Sequence, residues 1–265
     1  MQINTCLVKN SKLYVNREEG FIGTSIRKDE FVEECSDIDD VIAFTEEGKM
    51  MVTKVDSKKF IGKNIKHVAV FKKKDKRTVY NMIYRDGKKG TSYIKRFSVT
   101  GVTRDKDYDL TRGTEGSKIL YFSANPNGEA EIVNVVLRQS SSIKKLKWEL
   151  DFADLEIKGR SSKGNIVTKY TVNKIEFKEK GLSTLKPRKI WFDETIQRLN
   201  VDNRGELLGE FKGDDYLVIV QQKGILKTVK PDLNMHFPED MIILEKWITE
   251  KPISAIYLSP QSSLL

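Results

Sequence analysis

The chain is poor in nearly everything that metal binding, nucleophilic catalysis and membrane crossing draw on. Its 265 residues include two cysteines, Cys6 and Cys35, and two histidines, His67 and His236. These four lie far apart and form no metal-ligand spacing, and the cysteines read as buried structural thiols. No apolar run approaches the roughly 18 residues that a spanning helix needs. The opening residues, MQINTCLVKNSKLYVN, lack the apolar stretch and cleavage site of a signal peptide. Together these absences point to a metal-free, cytoplasmic protein. Helical periodicity is nearly missing as well, and only Trp191–Leu199, WFDETIQRL, is compatible with a helix, or with no more than a turn.

Enzymatic motifs fare no better. The run GRSSKG, Gly159 to Gly164, has the first spacing of a nucleotide-binding loop, G-x-x-x-x-G-K-[ST]. Asn165-Ile166 stand where Lys-Ser/Thr should be, and NIVTKYTV after them reads as strand rather than helix, so a Walker loop is excluded. Neither histidine is near a nucleophilic Ser or Cys in sequence. The pairs Asp39-Asp40 and Asp214-Asp215 stand just before strands, where Asp side chains cap their own turns. No catalytic residue and no metal ligand is assigned.

What is present is hairpin grammar. Short apolar runs alternate with polar, Gly-containing turns and a second run rich in Lys, Thr and Val. Instances are Asp39–Val55, Asp214–Val229 and Phe152–Tyr170, with a looser copy at Val79–Phe97 and a partial one at Lys12–Ile26. A lone hairpin cannot bury both faces, so repeated ones stack radially or close into a barrel. The expectation is one all-β domain, 1–265, of about five to six propeller-like blades. The repeats run approximately 1–26, 27–71, 72–122, 123–183 and 184–246, with a partial one at 247–265.

Charge is the second positive signal. The net charge is +9, with 32% of residues charged, and it is unevenly spread: residues 61–120 hold 16 Lys/Arg against 6 Asp/Glu. Segregated positive charge favours polyanions. The cations sit among β-branched and aromatic residues, not on a basic amphipathic helix, which argues against membrane. FKKKDKR supplies Lys72, Lys73, Lys74, Lys76 and Arg77, and RDGKKG with YIKRF supplies Arg85, Lys88, Lys89, Lys95 and Arg96. GVTRDKDYDLTRG adds Arg104, Lys106 and Arg112. Turns and returning strands carry Arg160, Lys163 and Lys169, then Lys223 and Lys227, with Lys49 and Lys54 in an earlier hairpin. Cations on equivalent turns of several repeats would line one curved edge, which suits a bent duplex backbone. No base-reading helix and no aromatic platform for single strands is evident, so backbone contacts are expected. The competing reading is a propeller-like scaffold for protein partners.

Three segments carry a resemblance: KLYVNREEGFIGTS through FIGKNIKHVAVF, VYNMIYRDGKKGTSYIKRFSVTGVTRDKDYDLTRG, and RGELLGEFKGDDYLVIVQQKG. They resemble the C-terminal domain of the A subunit of bacterial type IIA topoisomerases, gyrase A and the topoisomerase IV A subunit, in the versions of Bacteroidetes-type bacteria. The resemblance implies a β-pinwheel, a propeller-like disc whose blades exchange strands and whose basic perimeter binds and bends duplex DNA for strand passage. As partners it implies double-stranded DNA, the ATPase B subunit of the topoisomerase, plus the rest of the A subunit. It also implies a nucleoid-associated cytoplasmic location. ATP, Mg and the DNA-cleaving tyrosine belong elsewhere in the holoenzyme, so no cofactor is expected in this chain, which begins and ends within its parent subunit. The glutamine-arginine-arginine-glycine box of gyrases is missing, and KGRSSKG is not equated with it. The resemblance therefore leans toward topoisomerase IV-like decatenation and relaxation over supercoiling.

Overall fold

The structure, a computed structural model, describes residues 10–26, 30–141, 143–233, 235–254 and 256. Cys6 and the tail beyond Ile256 lie outside them. Among the described residues all regular structure is β except one 3₁₀ turn, Phe152–Asp154, and no helix is long and apolar enough to cross a membrane. The strands form six sheets. The first holds β1 (Ser11–Asn16), β2 (Phe21–Gly23) and β3 (Glu30–Cys35). The second holds β4 (Asp40–Thr45) and β5 (Lys49–Lys54), then, after the short β6 (Lys59–Phe60), β7 (Ile65–Phe71). The third holds β8 (Val79–Arg85), β9 (Ser92–Ser98) and, after β10 (Tyr108–Asp109), β11 (Lys118–Asn125). The fourth holds β12 (Glu129–Leu137) and β13 (Lys147–Asp151), then, after β14 (Ile157–Gly159) and β15 (Asn165–Thr168), β16 (Val172–Ser183). The fifth is β17 (Arg188–Asp193), β18 (Arg198–Asn200) and β19 (Glu206–Phe211), and the sixth is β20 (Leu217–Gln221), β21 (Leu226–Val229) and β22 (Met241–Lys246).

In every sheet the first strand of the group is central, paired antiparallel to the second and to the last. A central strand covered on both faces cannot alternate apolar with polar, so its sequence is a continuous apolar run. β4 reads DVIAFT and is buried throughout. Its alternate residues enter two cores. Val41 and Ala43 pack with Leu13, Val15, Ile22 and Cys35 of the first sheet, whereas Ile42 and Phe44 pack with Tyr80, Met82 and Tyr84 of the third. β8 divides likewise, with Ile83 packing against Val133 and Phe152 beyond it. Within the first four sheets the cores thus lie between successive sheets, and Ile190 and Phe192 meet Leu217 and Ile219 in the same manner between fifth and sixth.

The segment joining the second strand of a group to its last makes a detour. β6 leaves the second sheet to pair with β2 of the first, and β10 leaves the third to pair with β5 of the second. β14 and β15 leave the fourth to pair with β9 of the third, and His236 bridges to Arg198 on β18. Each time the recipient is the second strand of the preceding sheet. Strand exchange between neighbouring blades, all in β-structure, is the β-pinwheel connectivity.

Several sequence expectations change. Trp191–Leu199 is no helix; it is the end of β17, a turn and the start of β18. Its apparent periodicity arises because Phe192 and Leu199, directly paired across the hairpin, both enter one core. The fifth sheet repeats the first: β17 to β19 match β1 to β3 in burial pattern strand by strand, including a register shift at the same place. The first group therefore continues through β3 to Cys35, and residues 184–246 contain two groups, not one. Phe152–Tyr170 is not a blade's own hairpin but an exchanged segment. Residues 1–185 and 186–265 form two compact units.

Candidate nucleic-acid interface

The turns before β4, β8 and β20 are each capped by an Asp side chain. Ser36 N–H donates to Asp39 Oδ2 at 2.8 Å, and Lys212 N–H donates to Asp215 Oδ2 at 2.7 Å. At the equivalent point before β8, Asp75 instead accepts from Arg77 N–H at 2.7 Å and from the Thr78 hydroxyl at 2.6 Å. Capping by Asp75 holds a turn that carries Lys72, Lys73, Lys74 and Lys76 exposed at its surface, with Arg77 half-buried. Lys74 is in the left-handed backbone region, φ 63°, so this turn is strained for a residue with a Cβ. Lys73 lies 3.8 Å from Asp40, which also pairs with Arg104 at 2.7 Å. The Asp40 side chain is 5% exposed, so Arg104 serves the fold as well as the surface.

The β8–β9 turn presents Lys88 and Lys89 to solvent, while Arg85 donates back to the Gly87 carbonyl at 2.9 Å and braces it. Lys106 and Arg112 are exposed on the segment around β10. The Lys106 ammonium stands 5.5 Å above the Tyr108 ring and the Arg112 guanidinium 5.0 Å above Tyr93, arrangements that hold cations without neutralising them.

GRSSKG crosses the edge of β9. Ahead of it β14 runs parallel to Arg96–Ser98, and after it β15 runs antiparallel to Ser92–Ile94. Beneath the loop is Lys95, 2% exposed, whose ammonium donates to the carbonyls of Leu110 at 2.7 Å, Arg160 at 2.9 Å and Ser162 at 2.8 Å. Burial and the like charge of Lys163 pull its pKa down to about 7. Three carbonyls match the three donors of the ammonium and would leave a neutral amine one donor short, so the cage favours the charged form. Lys95 is thus removed from the residues expected to touch phosphate. Arg96 is removed too: 1% exposed, it donates to Asn81, the Thr184 hydroxyl and the Gly128 and Glu129 carbonyls. Sequence alone could not separate them, because on a half-covered strand one of two adjacent cations normally faces water.

Arg160 is half-buried, donating to the Gly101 carbonyl and lying 4.3 Å from the Tyr108 ring, and the Lys163 ammonium is 2.6 Å from the Thr111 carbonyl. Lys169, Lys223 and Lys227 are exposed. Lys54 is exposed, whereas Lys49 is ion-paired with Asp109 at 2.8 Å. The equivalent hairpin turn of the fourth sheet, which the sequence pattern misplaces, carries exposed Arg138, Lys144 and Lys145. The run RQSSSIKKLK was the available signal. Hairpin turns of the first and second sheets carry Glu18, Glu19, Glu46 and Glu47 instead, so positive turns concentrate on the third and fourth sheets. Among the described residues no group of three His, Cys, Asp or Glu is placed to hold a metal ion.

Comparison with known proteins places the chain. The family model described as "Topoisomerase C-terminal domain, Bacteroidota" matches residues 12–180 and 198–264. The A subunit of DNA topoisomerase 4 from Borreliella burgdorferi is 29% identical over 171 residues, 64% of this chain and 25% of that protein. The matched stretch therefore spans about a quarter of that relative's length. Among solved structures, the C-terminal domain of DNA topoisomerase IV aligns over 90% of this chain and 94% of its own, at 10% identity and a TM-score of 0.45. The DNA gyrase A C-terminal domain aligns over 90% and 100%, at 11% identity and 0.31. At those scores neither structural likeness bears weight; the family match, over most of the sequence, does. The chain belongs to the Bacteroidota topoisomerase C-terminal domain family.

Proposed function

We propose that this chain is a non-catalytic duplex-DNA-binding part of a type IIA topoisomerase A subunit, one that grips the phosphate backbone and bends a segment for strand passage. The observation that carries the reading is where the charge sits. The cores between sheets consume the apolar residues, and most cations of the 61–120 window stand on turns and exchanged segments outside them. Lys72, Lys73, Lys74, Lys76, Arg77, Lys88, Lys89, Lys106, Arg112, Arg160, Lys163 and Lys169 are the proposed phosphate contacts. Arg85 and Arg104 stand behind them, and Lys223 and Lys227 contribute less. Catalysis, ATP and Mg belong to the remainder of the enzyme, whose ATPase B subunit, together with the rest of the A subunit, completes the partners.

The missing glutamine-arginine-arginine-glycine run supports a topoisomerase IV-like role over a gyrase-like one. Assembled from complete A and B subunits, the enzyme is expected to decatenate linked circles and relax supercoils. Its decatenation should fall when this portion is deleted. Net introduction of negative supercoils by the intact enzyme would contradict the topoisomerase IV-like assignment.

A further inference from the structure

Lys95 touches two exchanged segments at once. Its acceptors are Leu110 on the segment that pairs with the second sheet, and Arg160 and Ser162 on the segment that pairs with β9. The second segment is drawn inward by a further donor, the Tyr84 hydroxyl, at 2.6 Å from the Lys163 carbonyl. With the carbonyls of 160, 162 and 163 all accepting from the third sheet, the Arg160 and Lys163 side chains are left toward the outer surface. There they meet the other segment's cations. Arg160 and Lys106 share the Tyr108 ring, and Lys163 bonds the carbonyl of Thr111, the residue before Arg112. Two cations thus share one ring and a third is tied beside Arg112 in the chain, and like charges placed so gain from an anion that neutralises them.

We propose that Lys95 is a positioning residue that fastens two exchanged segments into one composite phosphate site, formed by Lys106, Arg112, Arg160 and Lys163. The site takes a phosphodiester oxygen of the duplex backbone, and this rests on the DNA-binding reading above. Lys95 itself touches no phosphate; it sets where four other cations stand. Gly164 supports the same geometry from the other side. Its φ is 83°, and a Cβ there would lie 2.4 Å from the Ile94 carbonyl oxygen.

The test measures binding of a duplex of a few tens of base pairs by the whole 265-residue chain across a salt series. Four variants are compared: Lys95→Met, Gly164→Ala, the double Arg160→Ala/Lys163→Ala, and the triple that adds Lys95→Met to the double. Each phosphate that is no longer neutralised lowers the slope of log affinity against log salt by about 0.9. Lys95→Met and Gly164→Ala are expected to weaken binding on the order of tenfold or more at moderate salt, with the slope falling as in the double variant. The triple should bind like the double, because the positioned cations are already gone. Gly164→Ala removes no charge, so it decides the matter if Lys95→Met fails to fold. If Lys95→Met and Gly164→Ala keep the original affinity and slope while the double loses both, the positioning role is overturned and DNA binding stands. If the double also keeps both, the composite site itself is overturned. A flat salt dependence of the unaltered chain would overturn the DNA reading beneath it.

Discussion

Single residues separate what the surface does from what the fold needs. Lys74 holds a left-handed backbone, φ 63°, that costs a side-chain-bearing residue about 1–2 kcal/mol. Lys74→Gly relieves this while freeing the unfolded chain, so stability should stay level or rise by up to about 1 kcal/mol. The same change should weaken duplex binding. Urea titration alongside a binding isotherm checks both, and lost stability with unchanged binding would count against the assignment. His67 makes the opposite case, a half-buried titratable group packed among aromatic rings. It lies 5.9 Å from the Phe44 ring and 5.8 Å from the Phe122 ring, and burial foremost, with Arg17, lowers its pKa to about 4. The unfolded chain binds this proton near pH 6.5 and the folded chain only near pH 4, so stability is lost as pH falls through that interval. His67→Phe should shrink the difference between urea midpoints at about pH 7 and about pH 5. An unchanged difference would show that His67 is not the group responsible.

At the scale of elements, the exchanged segments need close backbone approach. Gly20, φ 86°, lies where a Cβ would stand 2.3 Å from the Gly62 carbonyl oxygen, and its own carbonyl accepts from Ile61 N–H at 2.8 Å. Gly113, φ 85°, has open space around it. Both changes to Ala incur the left-handed backbone cost of about 1–2 kcal/mol. Gly20→Ala adds a collision and should destabilise more, as read from urea midpoints. Equal losses would mean the β6 segment is not docked there. Central strands were legible in the sequence because VIAF, YNMIY and YLVIV are too apolar for one-sided burial, and the hairpin turns were legible from their glycines. The exchange was not legible. IKGRSSKGNIVTKY has the grammar of a local hairpin, but both its strands pair with β9, more than fifty residues earlier. That error hid the real hairpin turn at Arg138–Lys145, and with it three exposed cations. Lys95 and Arg96 were misjudged for a related reason: apart from Asn81, the hairpin neighbour of Arg96, their acceptors lie on distant loops and at the start of β12, where no local pattern brings them.

For the molecule as a whole, the proposed DNA binding is an electrostatic one. The 61–120 window carries 16 Lys/Arg against 6 Asp/Glu, whereas residues 186–265 carry 11 against 12. Backbone binding should therefore depend on the third and fourth sheets, and reversing Lys223 and Lys227 should matter little beside reversing the Lys72–Arg77 turn. Roughly six to ten neutralised phosphates imply that affinity falls on the order of 10³–10⁵-fold between low and physiological salt, independent of base sequence. The decisive measurement is the slope of log affinity against log salt for a duplex of a few tens of base pairs, taken with the unaltered chain and with Lys72, Lys73, Lys74, Lys76 and Arg77 changed to Glu. The expected result is a steep slope that becomes markedly shallower in the variant, equally for unrelated sequences. A flat slope, or one the reversal leaves untouched, would contradict the account.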